Sequence, residues 1–243
     1  MLLGNFLLKQ FAHRHLVAQI WREREKTERE AASLFGQLGK AMREVGLPND
    51  LAAMAEQASE DEVEHAGRCR SIIESCGEAV NPLAARERGL LGPMAWATSE
   101  RALYTSAAMG CITETLSTAL LLEMKKRLDS EIIDKTVRSI LGDEVNHSRL
   151  GWAHLAYVSQ SSDVAFLGAY LPNMLEPVLS AESEEASEKK PQHCDLYGYG
   201  VLPRQTVREV FKQTLEEVIL PGFQEFGVPT EAADEWKKQR FSA

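Results

Sequence analysis

Apolar residues return at helical spacing through most of the chain. Val17, Trp21, Phe35, Leu38 and Met42 fall on one face between Leu16 and Val45, which predicts a first long helix. Gly46-Leu47-Pro48-Asn49-Asp50 is a turn signal. A second helix is predicted from Asp50 to Cys76, capped by Asn49 or Asp50 and stopped at Gly77. Pro82, Gly89, Gly92 and Pro93 interrupt residues 78–100, a span too long for a hairpin turn. A third helix is predicted over Ser99 to Leu128. Asp129 or Ser130 can cap a fourth, Glu131 to Ser159, whose stripe reads Ile133, Val137, Ile140, Glu144, His147, Gly151 and His154. Leu3, Phe6, Leu7 and Phe11 make residues 2–20 a short amphipathic helix or the lead-in to the first, packed on the bundle or on a second subunit.

Beyond Ser159, residues 163–180 read as helical with breaks at Pro172 and Pro177. Residues 181–192 are rich in Glu, Ser and Lys and read as a solvated loop. Residues 204–226 give a final amphipathic helix through Val207, Val210, Phe211, Leu215 and Val218. The predicted fold is all-α: a four-helix bundle with one long crossover and extra C-terminal helices. Residues 1–160 form the bundle with its lead-in helix. Residues 161–243 form an extension packed on the bundle, in which no chemistry is legible. It covers the bundle or makes a subunit contact, a homodimer being the assembly expected.

The chemistry lies in a doubled pentapeptide. Residues 61–65 read Asp61-Glu62-Val63-Glu64-His65, and residues 143–147 read Asp143-Glu144-Val145-Asn146-His147. Glu and His three apart stand one helical turn from each other on one face, so each pair can hold a metal ion from one side. One Glu-x-x-His in a chain with 6 His means little, but two copies of Asp-Glu-Val-x-His are not chance. A dinuclear site in a four-helix bundle also takes one Glu from each of the other two helices. In an antiparallel hairpin the turn falls midway between facing ligands. Glu28 and Glu62 have their midpoint at Val45, beside the first turn, and Glu114 and Glu144 have theirs at Asp129. Glu114 is the only charged residue between Arg101 and Glu123; buried and unpaired it would be strongly unfavourable, and a metal removes that cost. Glu25 is the near alternative to Glu28, on the neighbouring edge of the stripe. His154, two turns from His147, reads as a hydrogen-bonded core histidine rather than a ligand.

Glu, Glu-x-x-His, Glu, Glu-x-x-His in this order resembles the ligand pattern of the ferritin-like di-iron carboxylate superfamily, over about residues 15–158. The stretches around Glu28, Gly46-Leu47-Pro48-Asn49-Asp50, Gly110–Thr115 and Asp143-Glu144 are also similar to a group of stand-alone bacterial ferritin-like proteins. The resemblance implies metal ligands Glu28, Glu62, His65, Glu114, Glu144 and His147. It implies two iron ions, with manganese or a mixed manganese–iron pair as alternatives. In the monooxygenase branch, aspartates placed like Asp61 and Asp143 reach across to the histidine of the opposite helix, so Asp61 would serve His147 and Asp143 would serve His65. Some oxygen-activating relatives place a Thr as Thr118 stands, four residues after Glu114, beside the oxygen pocket; this makes Thr118 the catalytic candidate. The alternative is a hydroxyl bonded to the carbonyl four residues back. The chain departs from the pattern at Glu64 and Asn146, where relatives often carry Arg, and at Ile140, where the di-iron N-oxygenases carry an extra His. Ala107, Gly110, Cys111, Ser117 and Gly151 flank the ligand stripes and leave either a substrate pocket or close helix packing.

A net charge of −9 argues against a nucleic-acid partner. Cys69, Cys76, Cys111 and Cys194 form no Cys-x-x-Cys pair, which excludes rubredoxin-type centres and zinc ribbons. No uncharged apolar run of about 18 residues stands outside the stretch holding Glu114, so no membrane partner is expected and a soluble cytoplasmic protein is read. Four carboxylates balance two ferrous ions in charge. The expected function is a di-iron oxidoreductase that activates dioxygen or peroxide to oxidise or oxygenate a small molecule, reset by an external reductant. The alternatives are a ferroxidase, iron-handling or peroxide-scavenging protein, and a metal-stabilised interaction protein without turnover.

Overall fold

The computed structural model describes residues 2–187 and 196–241, and among them every regular element is a helix. Helix α1 (Leu2–Glu44) is continuous, so the N-terminal apolar stretch is its first part rather than a separate element. Gly46 turns the chain in the left-handed region (φ 74°), and the Leu47 N–H donates to the Met42 carbonyl at 2.9 Å. Helix α2 (Asn49–Ser75) runs back along α1. Its cap position is held by Pro48, with no side-chain bond, so neither Asn49 nor Asp50 caps it. Gly77 (φ 80°) ends α2 as expected.

Residues 78–97 are the long crossover. They return alongside α1 in the direction of α1 itself: Arg22 donates to the Ala79 carbonyl, Arg29 to that of Leu83, and Arg88 pairs with Glu30. Helix α3 (Thr98–Ser106) then begins at the far end of the molecule. It passes through a π-helical stretch, Ala107–Glu114, into α4 (Thr115–Met124). Helix α5 (Glu131–Ser159) has the predicted bounds. Ser130 makes no capping bond, and Asp129 instead donates its N–H to the Gly198 carbonyl.

The C-terminal part differs more. Helix α6 (Leu171–Ser187) contains Pro177 without ending there, and Pro172 is its second residue, where a missing N–H leaves nothing unpaired. Residues 181–187 are therefore helical rather than loop; the remainder of that Glu-rich stretch lies outside the described residues. Helix α7 (Arg204–Thr214) continues through a second π-helical stretch, Leu215–Ile219, into α8 (Leu220–Glu225). It is not the last helix. After Gly227 (φ 80°) comes α9 (Glu231–Phe241), tied to α6 by a 2.7 Å bond from Trp236 Nε1 to Glu176.

Two apolar clusters make the core. One gathers Phe35, Leu38 and Met42 of α1 with Leu51 and Ala55 of α2, near the first turn. The larger joins Trp21, Ile72, Leu116 and Leu120 to Leu171 and Phe211, so it runs unbroken from the bundle into the C-terminal helices. Between the two lies a layer of charged side chains. No helix among the described residues is long and apolar enough to cross a membrane.

Glu25 belongs to that layer but is committed elsewhere. It is fully buried and accepts two bonds from Arg29, both 2.9 Å, and one from Arg70 Nε at 2.8 Å. Burial raises its pKa, but the Arg29 and Arg70 guanidiniums outweigh burial and hold it below the ordinary glutamate value. Glu25→Ala leaves two cations facing an empty site and is expected to destabilise the fold by about 3 kcal/mol. Glu23→Ala, at an exposed helix position, changes stability by about 0.5 kcal/mol or less. A lowered folded-state pKa means the Glu25 contribution is complete above the unfolded pKa, about 4.3, and is lost as pH falls through the folded value. Denaturant titrations of both variants between neutral and acidic pH check the size and the window.

Candidate metal centre

Each hairpin delivers its ligands at one level. The α1–α2 pair brings Glu28 beside Glu62 and His65, and the π-helical stretch with α5 brings Glu114 beside Glu144 and His147. Glu28, Glu62, His65 and Glu144 form one group whose ligand atoms lie within 4.8 Å of one another; Glu62, Glu114, Glu144 and His147 form a second. Glu62 and Glu144 belong to both. Five of the six residues are buried, and Glu28 keeps 17% of its side chain exposed.

The imidazoles are oriented from behind. His65 Nε2 lies 3.0 Å from Asp143 on α5, and His147 Nε2 lies 3.2 Å from Asp61 on α2. Asp61 is itself fixed by the Gln57 amide at 2.9 Å. A carboxylate at Nε2 holds a proton there, so Nδ1 is the nitrogen that each imidazole turns toward the glutamates and could give to a metal ion. His147 Nδ1 lies 3.2 Å from Glu62 and 3.1 Å from Glu144. His65 Nδ1 lies 3.4 Å from Glu62 Oε2, out of hydrogen-bond geometry, and these two atoms have no hydrogen-bond partner.

The electrostatics point the same way. Burial, and then the charge of Glu62, push Glu28 well above the ordinary glutamate range; burial and Glu144 do the same to Glu114. Burial acts to raise Glu62 and to lower His147, but contact between them wins: Glu62 falls to about 2, and His147, flanked by Glu144 and Glu62, rises to about 10. Protons on glutamates and imidazoles thus hold the cluster together. A divalent cation could do the same work, and the two unpartnered atoms, His65 Nδ1 and Glu62 Oε2, are free to serve as donors to one. The buried Glu and His cluster can hold a metal ion. Its donors are oxygen and imidazole nitrogen without thiolate; Cys69 and Cys111 are buried free thiols outside it.

The π-helical stretch and two glycines set the spacing. A Cβ on Gly110 would stand 2.6 Å from the Gly151 Cα, so the stretch and α5 touch backbone to backbone, four residues from Glu114 and from His147. These small residues serve close packing. The side-chain hydroxyls of Thr113 and Thr115 reach back five residues, to the Ala108 and Gly110 carbonyls, matching the wider turn.

A cavity of about 1120 Å³ opens on the cluster between α1, α4 and α6 and reaches Glu28, Glu62, Glu114 and Glu144. Thr118 is not on its wall. Its hydroxyl donates to the Glu114 carbonyl at 2.8 Å, the alternative that the sequence left open. Ser117 lines the cavity and donates to Glu144 Oε1 at 3.3 Å. It stands one turn from Glu114, but nothing in the sequence marks it as a partner of Glu144. Phe35, read only as core, packs its ring 5.4 Å from that of His147. His154 is buried with Nδ1 unpartnered, and burial lowers its pKa to about 4; it is a core residue outside the cluster.

Comparison with protein-family models, with curated proteins and with solved structures found no match.

Asp61→Asn and Asp143→Asn keep the shape behind each imidazole and remove the charge. Each variant is expected to retain the fold and to bind divalent metal about 10- to 100-fold more weakly. A chelator-competition titration against the parent decides it, and unchanged affinity in both would mean that the aspartates do not tune the imidazoles.

Proposed function

We propose that the chain is a ferritin-like dinuclear oxidoreductase, with iron as the first choice of metal and manganese or a mixed pair as alternatives, acting on an organic molecule. The observation that carries this reading is the cavity. Its 1120 Å³ exceeds the roughly 300–1,000 Å³ of ordinary small-molecule sites. Much of its wall is aliphatic, including Ile20, Leu34, Leu116, Leu120 and Met174. Passage of iron alone needs neither the volume nor the apolar wall. The ligand order and the all-helical fold support the ferritin-like assignment.

Glu28 and His65 would hold one ion, Glu114 and His147 the other, with Glu62 and Glu144 shared. Bound iron supplies the electrons and the open coordination positions that dioxygen reduction requires. The chain supplies the rest. Asp61 and Asp143 keep a proton on each Nε2 and so direct each Nδ1 inward. Ser117 fixes one oxygen of Glu144. Glu28, the one partly exposed member, is the carboxylate most open to the cavity. The aliphatic part of the wall would take the apolar part of a substrate held against the cluster. Turnover draws on an external reductant.

The test is anaerobic loading with ferrous ion followed by dioxygen, with iron counted before and after. The proposal expects about two irons per chain to stay bound and no further uptake when ferrous ion is added in excess. Continued oxidation of excess ferrous ion with release or mineral growth would make iron itself the substrate and overturn it.

A further inference from the structure

A cation lines the cavity next to the carboxylate cluster. Arg24 is four residues before Glu28, on the same face of α1 and about 6 Å along the helix. Both side chains line the cavity. Burial and the neighbouring glutamates raise the Glu28 pKa, and the Arg24 charge opposes them, so the two groups feel each other. The other cations of the wall stand elsewhere on the helix or on the crossover. Arg88 pairs with Glu30 at 2.7 Å, Lys26 lies 3.8 Å from Glu23, and Arg22 donates to the Ala79 carbonyl.

The Arg24 guanidinium is placed by a built surround. Its Cζ lies 4.5 Å from the centre of the Trp21 ring. Trp21 is buried and donates its indole N–H to the Tyr199 carbonyl at 3.2 Å. The turn holding that carbonyl ends on Gly200, in the left-handed region (φ 76°). A Cβ there would stand 3.1 Å from the Trp21 ring and 3.7 Å from Arg24 Nη1, so backbone passes close to both side chains. A guanidinium already held in place loses less freedom when an acceptor arrives. Charge supplies the second argument. Four carboxylates balance two divalent cations, so with metal bound the Arg24 charge is left over beside the cluster. Asp61 and Asp143 do not take it up: they stand behind the imidazoles, partly in water, and are not part of the cavity wall.

We infer that the substrate is an organic acid, a monoanion whose carboxylate binds the Arg24 guanidinium inside the cavity. One turn of α1 separates that guanidinium from Glu28, so the carbons nearest the carboxyl group are the ones set beside the cluster. A planar carboxylate matches the guanidinium fork. The inference deepens the oxidoreductase reading and rests on it for the reaction that follows binding.

Calorimetric titration of the manganese-loaded protein with benzoate, its neutral analogue benzamide and phenyl phosphate tests it. Benzoate should bind about 10- to 100-fold tighter than benzamide. Arg24→Gln should remove that preference without loss of manganese or of benzamide affinity. Arg24→Lys keeps the charge without the fork and should keep only part of the preference. Lys26→Gln, at the rim, should leave it unchanged. Circular dichroism checks each fold, and should Arg24→Gln not fold, the drop in Arg24→Lys decides. Equal binding of benzoate and benzamide would overturn the inference. So would a benzoate preference that survives Arg24→Gln, which would put the acid on the metal instead. Phenyl phosphate bound tighter than benzoate, and lost with Arg24, would overturn the choice of a carboxylate. The readout involves no turnover, so a failure here is distinct from a failure of the oxidoreductase reading, which the iron count tests.

Discussion

Four carboxylates that share a buried layer must be neutralised, and the rest of the structure follows from that requirement. Two like charges within 4.8 Å of each other repel by about 3 kcal/mol or more at an effective dielectric constant of about 20. Several such pairs together rival the whole net stability of a domain, about 5–15 kcal/mol. In the metal-free chain the answer is protons, which is why Glu28 and Glu114 are driven up while the imidazoles rise and Glu62 falls. A divalent cation could answer the same requirement with ligand bonds.

The fold is arranged to keep that layer intact. Its two hairpins are equivalent: each contributes one Glu and one Asp-Glu-Val-x-His, and each aspartate crosses to the histidine of the other hairpin. Apolar clusters lie on either side of the layer and fix its level. Gly110 against Gly151 sets how near the second hairpin's helices come, and the Glu25 ion pairs clamp α1 to α2 and the crossover. Where α1 and α4 stay apart, α6 forms the third wall and the space between becomes the cavity.

Much of this was legible in the chain. Periodicity placed the four main helices because their apolar stripes are long and regular, and the midpoint argument picked Glu28 over Glu25 because facing ligands in a hairpin lie equidistant from its turn. Glu25 shows why a stripe alone misleads: it is as buried as a ligand, but its partners Arg29 and Arg70 come from one turn along and from another helix. Thr118 shows the same limit: its hydroxyl goes to the Glu114 carbonyl. Helical spacing from Glu114 said which side it shared, not that the helix carbonyl would take its hydroxyl. The π-helical stretch had no sequence mark, since it accompanies a glycine contact 41 residues away in sequence, between Gly110 and Gly151. The cavity was out of reach because it exists only where α6 meets two other elements. Helix α9 was legible and passed over: Thr230 before Glu231 and Asp234 is a start signal.

The central claim is that the cluster is one dinuclear site. Electron paramagnetic resonance of manganese-reconstituted protein, with manganese counted on the same sample, tests it most directly. The account predicts about two ions per chain with the spectrum of a magnetically coupled pair, and the loss of that spectrum in Glu114→Ala but not in Glu123→Ala. One ion per chain, or two that give the spectrum of isolated manganese, would contradict it.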